Sequence, residues 1–158
     1  MTVPGTPSTP APTTEDMVRE LWDRQQISDV MLRFGRGLDL HDWELYAGTL
    51  TDPFEVDFAD LTGRPPATTT PKVWARFASA CLERLVVMHQ YSNFHITLRG
   101  DEADGVFYHV SRHRLPNRYG ADQYTSTGGT RTPSAGPRRA GRSASSSTPS
   151  SGVTATRR

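Results

Sequence analysis

The stretch VVMHQYSNFHITLRGDEADGVFYHVSRHRL, residues 86–115, decides the fold. At Val86 the apolar residues change from helical spacing to a period of two. On unbroken alternation His89, Tyr91, Asn93, His95 and Thr97 share one face of a strand. Gln90, Ser92, Phe94, Ile96 and Leu98 share the other. Arg99-Gly100-Asp101 turns the chain, and a second strand runs from about Ala103 to Leu115. Pro116-Asn117 breaks it, and Tyr119 to Tyr124 starts another. Two long neighbouring strands joined by a tight turn must pair antiparallel.

Upstream of this hairpin the period is helical. Thr13 and Thr14 suit an N-cap before Glu15 and Asp16. Met17, Val18, Leu21 and Trp22, then Ile27, Val30, Met31, Phe34 and Leu38, predict one helical stripe of about 25 residues. Gly35 and Gly37 weaken its last turn. A short second helix fits Asp42 to Leu50. Phe54, Val56 and Phe58 alternate with acids as a strand, and residues 61–70 read as loop. Thr70-Pro71 opens a third helix, with Val73, Trp74, Phe77, Ala80, Cys81 and Leu85 apolar. Three helices, a strand and then antiparallel strands predict an α+β domain.

The net charge of +1 over 158 residues conceals three pieces. Residues 1–14 are uncharged and hold four Pro and five Thr, which predicts a disordered segment. Residues 125–158 hold eight Ser, seven Thr and six Arg, with no acid and no aromatic. Residues 15–124 therefore carry all 14 aromatic residues and a charge of −5. An acidic domain gives no electrostatic footprint for nucleic acid, so none is expected as a partner. No run of about 18 apolar residues predicts a membrane span. No secretory signal is visible at the N-terminus, which makes a cytoplasmic protein the expectation. Lone Cys81 excludes an intramolecular disulfide and a cysteine-rich zinc site.

The chemistry is carried by acids and histidines near apolar surface. Asp39 ends the first helix, where the macrodipole opposes a negative charge, so it does not serve helix stability. His89 opens the first long strand beside Val86, Val87 and Met88. Each has a plain reading, Asp39 as a solvated turn residue and His89 as a structural strand residue. Together they have a sharper one. An Asp that accepts from one imidazole nitrogen fixes the tautomer and leaves the other nitrogen as a general base. His109 and His113 lie four residues apart on a strand, about 13 Å. That is too far for one zinc at about 2 Å from each, so no metal and no cofactor are expected.

These residues resemble a known family. Leu21-Trp22-Asp23-Arg24-Gln25-Gln26-Ile27, then Arg33-Phe34-Gly35-Arg36-Gly37-Leu38-Asp39 with Asp42-Trp43 and Tyr46, look like the start of a SnoaL-like protein of the nuclear transport factor 2-like superfamily. Val56-Asp57-Phe58, His89-Gln90-Tyr91-Ser92-Asn93 and Arg112-His113-Arg114-Leu115 continue the resemblance across residues 15–124. It implies a cone: a curved antiparallel sheet wrapped around three N-terminal helices and one apolar pocket. Dehydratases and a dehydrochlorinase of this superfamily use an Asp–His pair that matches Asp39 and His89. The implied activity is that of a lyase, dehydratase or isomerase on a cyclic, mostly apolar small molecule. The alternative is a non-catalytic ligand-binding or subunit-interaction module of the same fold. Trp43, Tyr46, Phe58, Asn93, Tyr108 and His113 are the candidates to line the pocket. Leu38 and Phe58 stand where scytalone dehydratase has tyrosines. Relatives are often homodimers or homotrimers through the outer sheet face.

After Tyr124 the resemblance stops, and the cone is expected to lack its last strands. The segment 125–158 reads as a natural disordered tail, as a basic tail for anionic surfaces, or as the product of a lost coding frame.

Overall fold

In the computed structural model, residues 11–57, 59, 63–100, 102–118, 122–133 and 146–147 are described. Helix α1 spans Thr14–Asp39 and α2 spans Trp43–Gly48. Strands β1 (Phe54–Asp57) and β2 (Ala67–Thr69) precede α3 (Pro71–Leu82). Strands β3 (Val86–Arg99), β4 (Glu102–Arg114), β5 (Gln123–Pro133) and the two-residue β6 (Ser146–Ser147) follow. The order across the sheet is β2-β1-β6-β5-β4-β3, so β2 and β3 are its edges and the sheet is open. The pairs β3–β4, β4–β5 and β1–β2 are antiparallel, and β6 runs parallel to β1.

The helix boundaries follow from the caps. Thr13 and Asp16 form a capping box: the Asp16 N–H donates to Thr13 Oγ1 at 3.2 Å, and the Thr13 N–H donates to Asp16 Oδ2 at 3.0 Å. At the other end His41 takes the left-handed conformation, with φ of 55°. The Asp42 N–H then reaches back to the Gly37 carbonyl at 2.8 Å, and the His41 N–H to Leu38 at 3.2 Å. This closure turns the chain straight into α2, where the Asp42 side chain accepts from the Leu45 N–H at 2.9 Å. Thr70 caps α3, with Pro71 at the first helical position.

The single apolar stripe expected along α1 is in fact two stripes on different faces. Val30, Met31 and Leu38 are buried, whereas Met17, Val18, Leu21 and Trp22 are 48%, 61%, 67% and 62% exposed. The reason is the five-residue step from Trp22 to Ile27, which at about 100° per residue shifts the second set far round the helix. Asp16, Arg19, Glu20, Asp23 and Arg24 instead face residues 94–98 of β3.

The expected unbroken alternation in β3 is also corrected. The register with β4 slips between Ser92 and His95, and Asn93 has φ of 52°. This bulge spends one residue and reverses the faces after it. Tyr91 before the bulge and Phe94, Ile96 and Leu98 after it therefore pack on the same core, with Met31, Ala103 and Phe107. A second cluster joins Leu38, Tyr46, Leu50, Phe54, Val56, Ala75 and Ala78, and Phe34 packs against both.

Two boundaries differ from expectation. Residues 67–69, read as loop, form β2 because Thr68 and Thr69 pair with the free edge of β1. Strand β5 runs past Tyr124 to Pro133 and pairs with β4 along its length, from His113↔Tyr124 to Asp104↔Pro133. Its Thr125, Thr127, Thr130 and Thr132 are β-branched, so a composition that resembles a polar tail also suits a strand. Residues 134–145 and 148–158 of the expected tail, residues 1–10 of the N-terminal segment, and Phe58 lie outside the described residues.

Candidate active site

Helix α1 crosses the open edge of β3 and covers it with side chains. The Arg24 guanidinium donates to the Ile96 carbonyl, and the Asp39 carboxylate accepts the His89 N–H at 2.9 and 3.2 Å. An edge strand otherwise presents unpaired backbone groups to any passing chain. The same Asp39 carboxylate takes Nδ1 of the His89 ring at 2.7 Å. His89 is thus held at two points, by its backbone and by its ring. The His89 side chain is 9% exposed and that of Asp39 is 25% exposed. Nδ1 bound to a carboxylate carries the ring proton, which leaves Nε2 with the lone pair.

Close approach of α1 to β3 depends on Gly35. A Cβ there would lie 2.7 Å from Tyr91 Cε2 and 3.4 Å from His89 Cβ. Gly37 does the same for α2, where a Cβ would meet the Tyr46 backbone N at 2.8 Å. The two glycines that weaken the last helical turn are what let Asp39 reach His89.

The register of β3 on β4 sets His89 opposite Ser111, with Tyr91 opposite His109 and Val87 opposite His113. Side chains that pair across an antiparallel ladder lie on one face. His89 therefore has Ser111 directly across from it and His109 and His113 as diagonal neighbours. The His89 and His113 rings lie 5.8 Å apart edge to face, and Tyr91 lies 6.5 Å from His89 and 6.2 Å from His109. Ser111 is buried. Burial pushes the His109 and His113 imidazoles below the ordinary histidine value, and the neighbouring His89 pushes them further down. Burial pushes the Tyr91 and Tyr46 phenols far above their ordinary value, so both stay neutral.

The expected pocket residues divide. His113 and Tyr46 are near the pair: Tyr46 is 3% exposed, packs on Phe34 at 4.8 Å and accepts a hydrogen bond from the Trp74 side chain. Trp43 stacks on His41 at 5.4 Å and lines a separate cleft between α2 and α3, with Ala47, Pro71 and Ala75. Asn93 is exposed at the bulge, and Tyr108, opposite Ser92, is 54% exposed on the outer sheet face. Those two are corrected: the bulge and the strand period turn them away from Asp39 and His89. Tyr91, His109 and Ser111 were missed. The signal was available, because Tyr91 follows His89 by two residues and His109 and Ser111 precede His113 by four and two.

Among the described residues, no group of three or more His, Cys, Asp or Glu side chains is arranged to hold a metal ion. Nor is any described helix long and apolar enough to cross a membrane.

The architecture is α+β, with α1 packed against β3 of an open, mainly antiparallel sheet. The chain belongs to the SnoaL-like domain family, whose profile matches residues 19–137. No curated protein matches it in sequence. Among solved structures it is similar to the Kfla4162 protein from Kribbella flavida, with 22% identity, a TM-score of 0.78, and coverage of 85% of this chain and 95% of that one. It is similar to a protein of Novosphingobium aromaticivorans named for scytalone dehydratase, at 16% identity, TM-score 0.73, and coverage of 87% and 90%. It is also similar to a hexachlorocyclohexane dehydrochlorinase of type 2, at 14% identity, TM-score 0.71, and coverage of 89% and 93%. At these identities the likeness is one of fold.

Proposed function

We propose that the protein is a cofactor-independent lyase or isomerase in which Asp39 and His89 act as a general-base pair on a cyclic, mostly apolar small molecule. The observation that carries this is the two-point hold of His89 by Asp39, at 2.7 Å on the ring and 2.9 Å on the backbone. The backbone bond covers the edge of β3, and the second bond, to the ring, is the one that supports a catalytic role. His89 Nε2 removes an acidic C–H proton, and Asp39 keeps the ring in place and stabilises the imidazolium that forms. Tyr46 and His113 line the pocket. Two structural neighbours bear the names of elimination enzymes, a dehydratase and a dehydrochlorinase, which supports this class of chemistry. A homodimer or homotrimer through the outer sheet face suits the exposure of Met88 and Tyr108, 38% and 54%.

The test is deuterium exchange at the α-carbon of 2-tetralone in D2O, followed by proton NMR. Wild-type protein should accelerate exchange, and His89→Ala should lose about 10²–10⁴-fold of that acceleration. Equal rates in the two proteins would refute the catalytic reading and leave a ligand-binding or subunit-interaction module.

A further inference from the structure

We infer that His109 is the electrophilic partner of His89, donating a hydrogen bond to the substrate oxygen that becomes an enolate oxygen. This deepens the reading above and rests on it. His109 stands diagonal to His89 on the same face of the sheet, next in the inward row to Phe107, which is 0% exposed. Diagonal side chains on one sheet face are about 7–8 Å apart. That separation suits a base on a carbon and a donor on the oxygen of the adjacent carbonyl, with each contact about 3 Å long. His113, the other diagonal neighbour, stands at the opposite end, against the 41%-exposed Tyr124. A donor aimed at a developing charge acts most strongly where water is least present, which favours His109.

The state of the ring follows from its surroundings. Burial and two neighbouring imidazoles keep His109 neutral, so it holds one ring proton. Its Nδ1 is enclosed with no hydrogen-bond partner among the described residues, whereas Nε2 is not enclosed in this way. Neutral imidazole carries its one proton on either nitrogen, and only a proton on Nε2 is presented to a ligand. The Nε2–H tautomer is the one the proposal uses, because it presents a donor that a ligand oxygen can accept. Gly128 fixes the ring's place from β5: a Cβ there would come within 2.9 Å of His109 Cε1.

The step balances without a co-reactant. His89 Nε2 takes the proton from the carbon beside the carbonyl. The C–H electron pair becomes a carbon–carbon double bond, and the carbonyl π pair moves onto oxygen. His109 Nε2–H donates to that oxygen and keeps its proton. The imidazolium of His89 then returns the proton to carbon. The ligand class implied is a cyclic ketone with an enolisable C–H.

The exchange assay with 2-tetralone tests this with His109→Phe, which removes the donor, and His109→Gln, which restores one. His109→Phe should slow exchange by about 10²–10³-fold. Affinity for 2-tetralone should change less than about threefold, because the bond strengthens only as charge develops. His109→Gln should recover part of the loss. Gly128→Ala, which keeps the imidazole but displaces it, should slow exchange as well. As a second readout, 2-naphthol mimics the enol of 2-tetralone. It should ionise at lower pH when bound to wild type than to His109→Phe, followed by its phenolate absorbance. A rate in folded His109→Phe within about threefold of wild type would overturn the assignment. So would an unchanged naphthol ionisation in His109→Phe and His109→Gln. Exchange that survives in His89→Ala would instead sink the general-base reading, and the naphthol titration would still report on His109.

Discussion

Replacing Gly35 with Ala should damage the site more than the fold. The new methyl would lie 2.7 Å from Tyr91 Cε2 and 3.3 Å from Cδ2, on a ring that belongs to the core. Ordinary carbon–carbon contact is about 3.5–4.0 Å. Helix α1 must therefore retreat from β3 by about 1 Å at this point. Asp39 lies four residues further on, one turn along the same helix face, and moves with it. A bond of 2.7 Å lengthened by about 1 Å passes beyond hydrogen-bond range. The stability cost is modest because two effects oppose each other. Overpacking costs about 1–3 kcal/mol, and Ala is better than Gly in a helix by about 0.5–1 kcal/mol. A net loss of about 0–2.5 kcal/mol should lower the melting temperature by no more than about 10 °C, at about 2–4 °C per kcal/mol for a chain of this size. Exchange on 2-tetralone should fall more than about tenfold, and the downfield His89 Nδ1–H NMR signal should be lost. Gly48→Ala is the control, since no atom lies within 4 Å of a Cβ at that position. If Gly35→Ala retains both the signal and the rate, close helix–strand approach does not govern the pair.

The histidines make a second prediction. His109 and His113 have folded values below the ordinary 6.5, so at acid pH the unfolded chain binds more protons than the folded one. Stability should therefore be lost as pH falls from about 7.5 to about 5.5, and melting curves for His109→Gln should show a shallower loss. A melting temperature that rises on acidification over that window would contradict the burial of these rings. At the β3 bulge, Asn93→Ala should cost about 1 kcal/mol because φ of 52° is left-handed, whereas Asn93→Gly should be neutral or better. Urea unfolding that ranks the two variants the other way would show that the bulge is not held by backbone preference.

Much of the fold is legible in the residues, for identifiable reasons. Thr13, Asp42 and Thr70 cap helices where polar side chains precede apolar spacing, and Val86 begins alternation, so α1, α2, α3 and β3 start where expected. What sequence alone misplaces is angular and tertiary. The turn of Met17–Trp22 away from the core depends on phase accumulated along α1. The face of Asn93 depends on one residue leaving the ladder. Strand β5 carries few large apolar residues, and its Gly128 has meaning only once His109 lies across from it. For the site, Asp39 and His89 could be named from their element ends. His109 and Ser111 share the strand face of His113 by their spacing, but setting them beside His89 needs the β3–β4 register, which no local pattern supplies.

Asp39 shows why site and fold do not separate here. A carboxylate in the last turn of a helix is disfavoured by about 0.3–1 kcal/mol. Hydrogen bonds to a charged group contribute about 1.5–3 kcal/mol each, and Asp39 makes one to the His89 backbone and one to its ring. The balance favours the acid at this position even though part of it is open to water. One of the two bonds is structural, because it covers an N–H on the open edge of β3. The other sets the tautomer of the proposed base. A substitution at Asp39 therefore removes an edge cover and an orienting acceptor together. Asp39→Asn keeps an oxygen for one of them, so it separates the two roles better than Asp39→Ala. A variant that melts like wild type but no longer exchanges the ketone would assign the stability to the backbone bond and the chemistry to the ring bond.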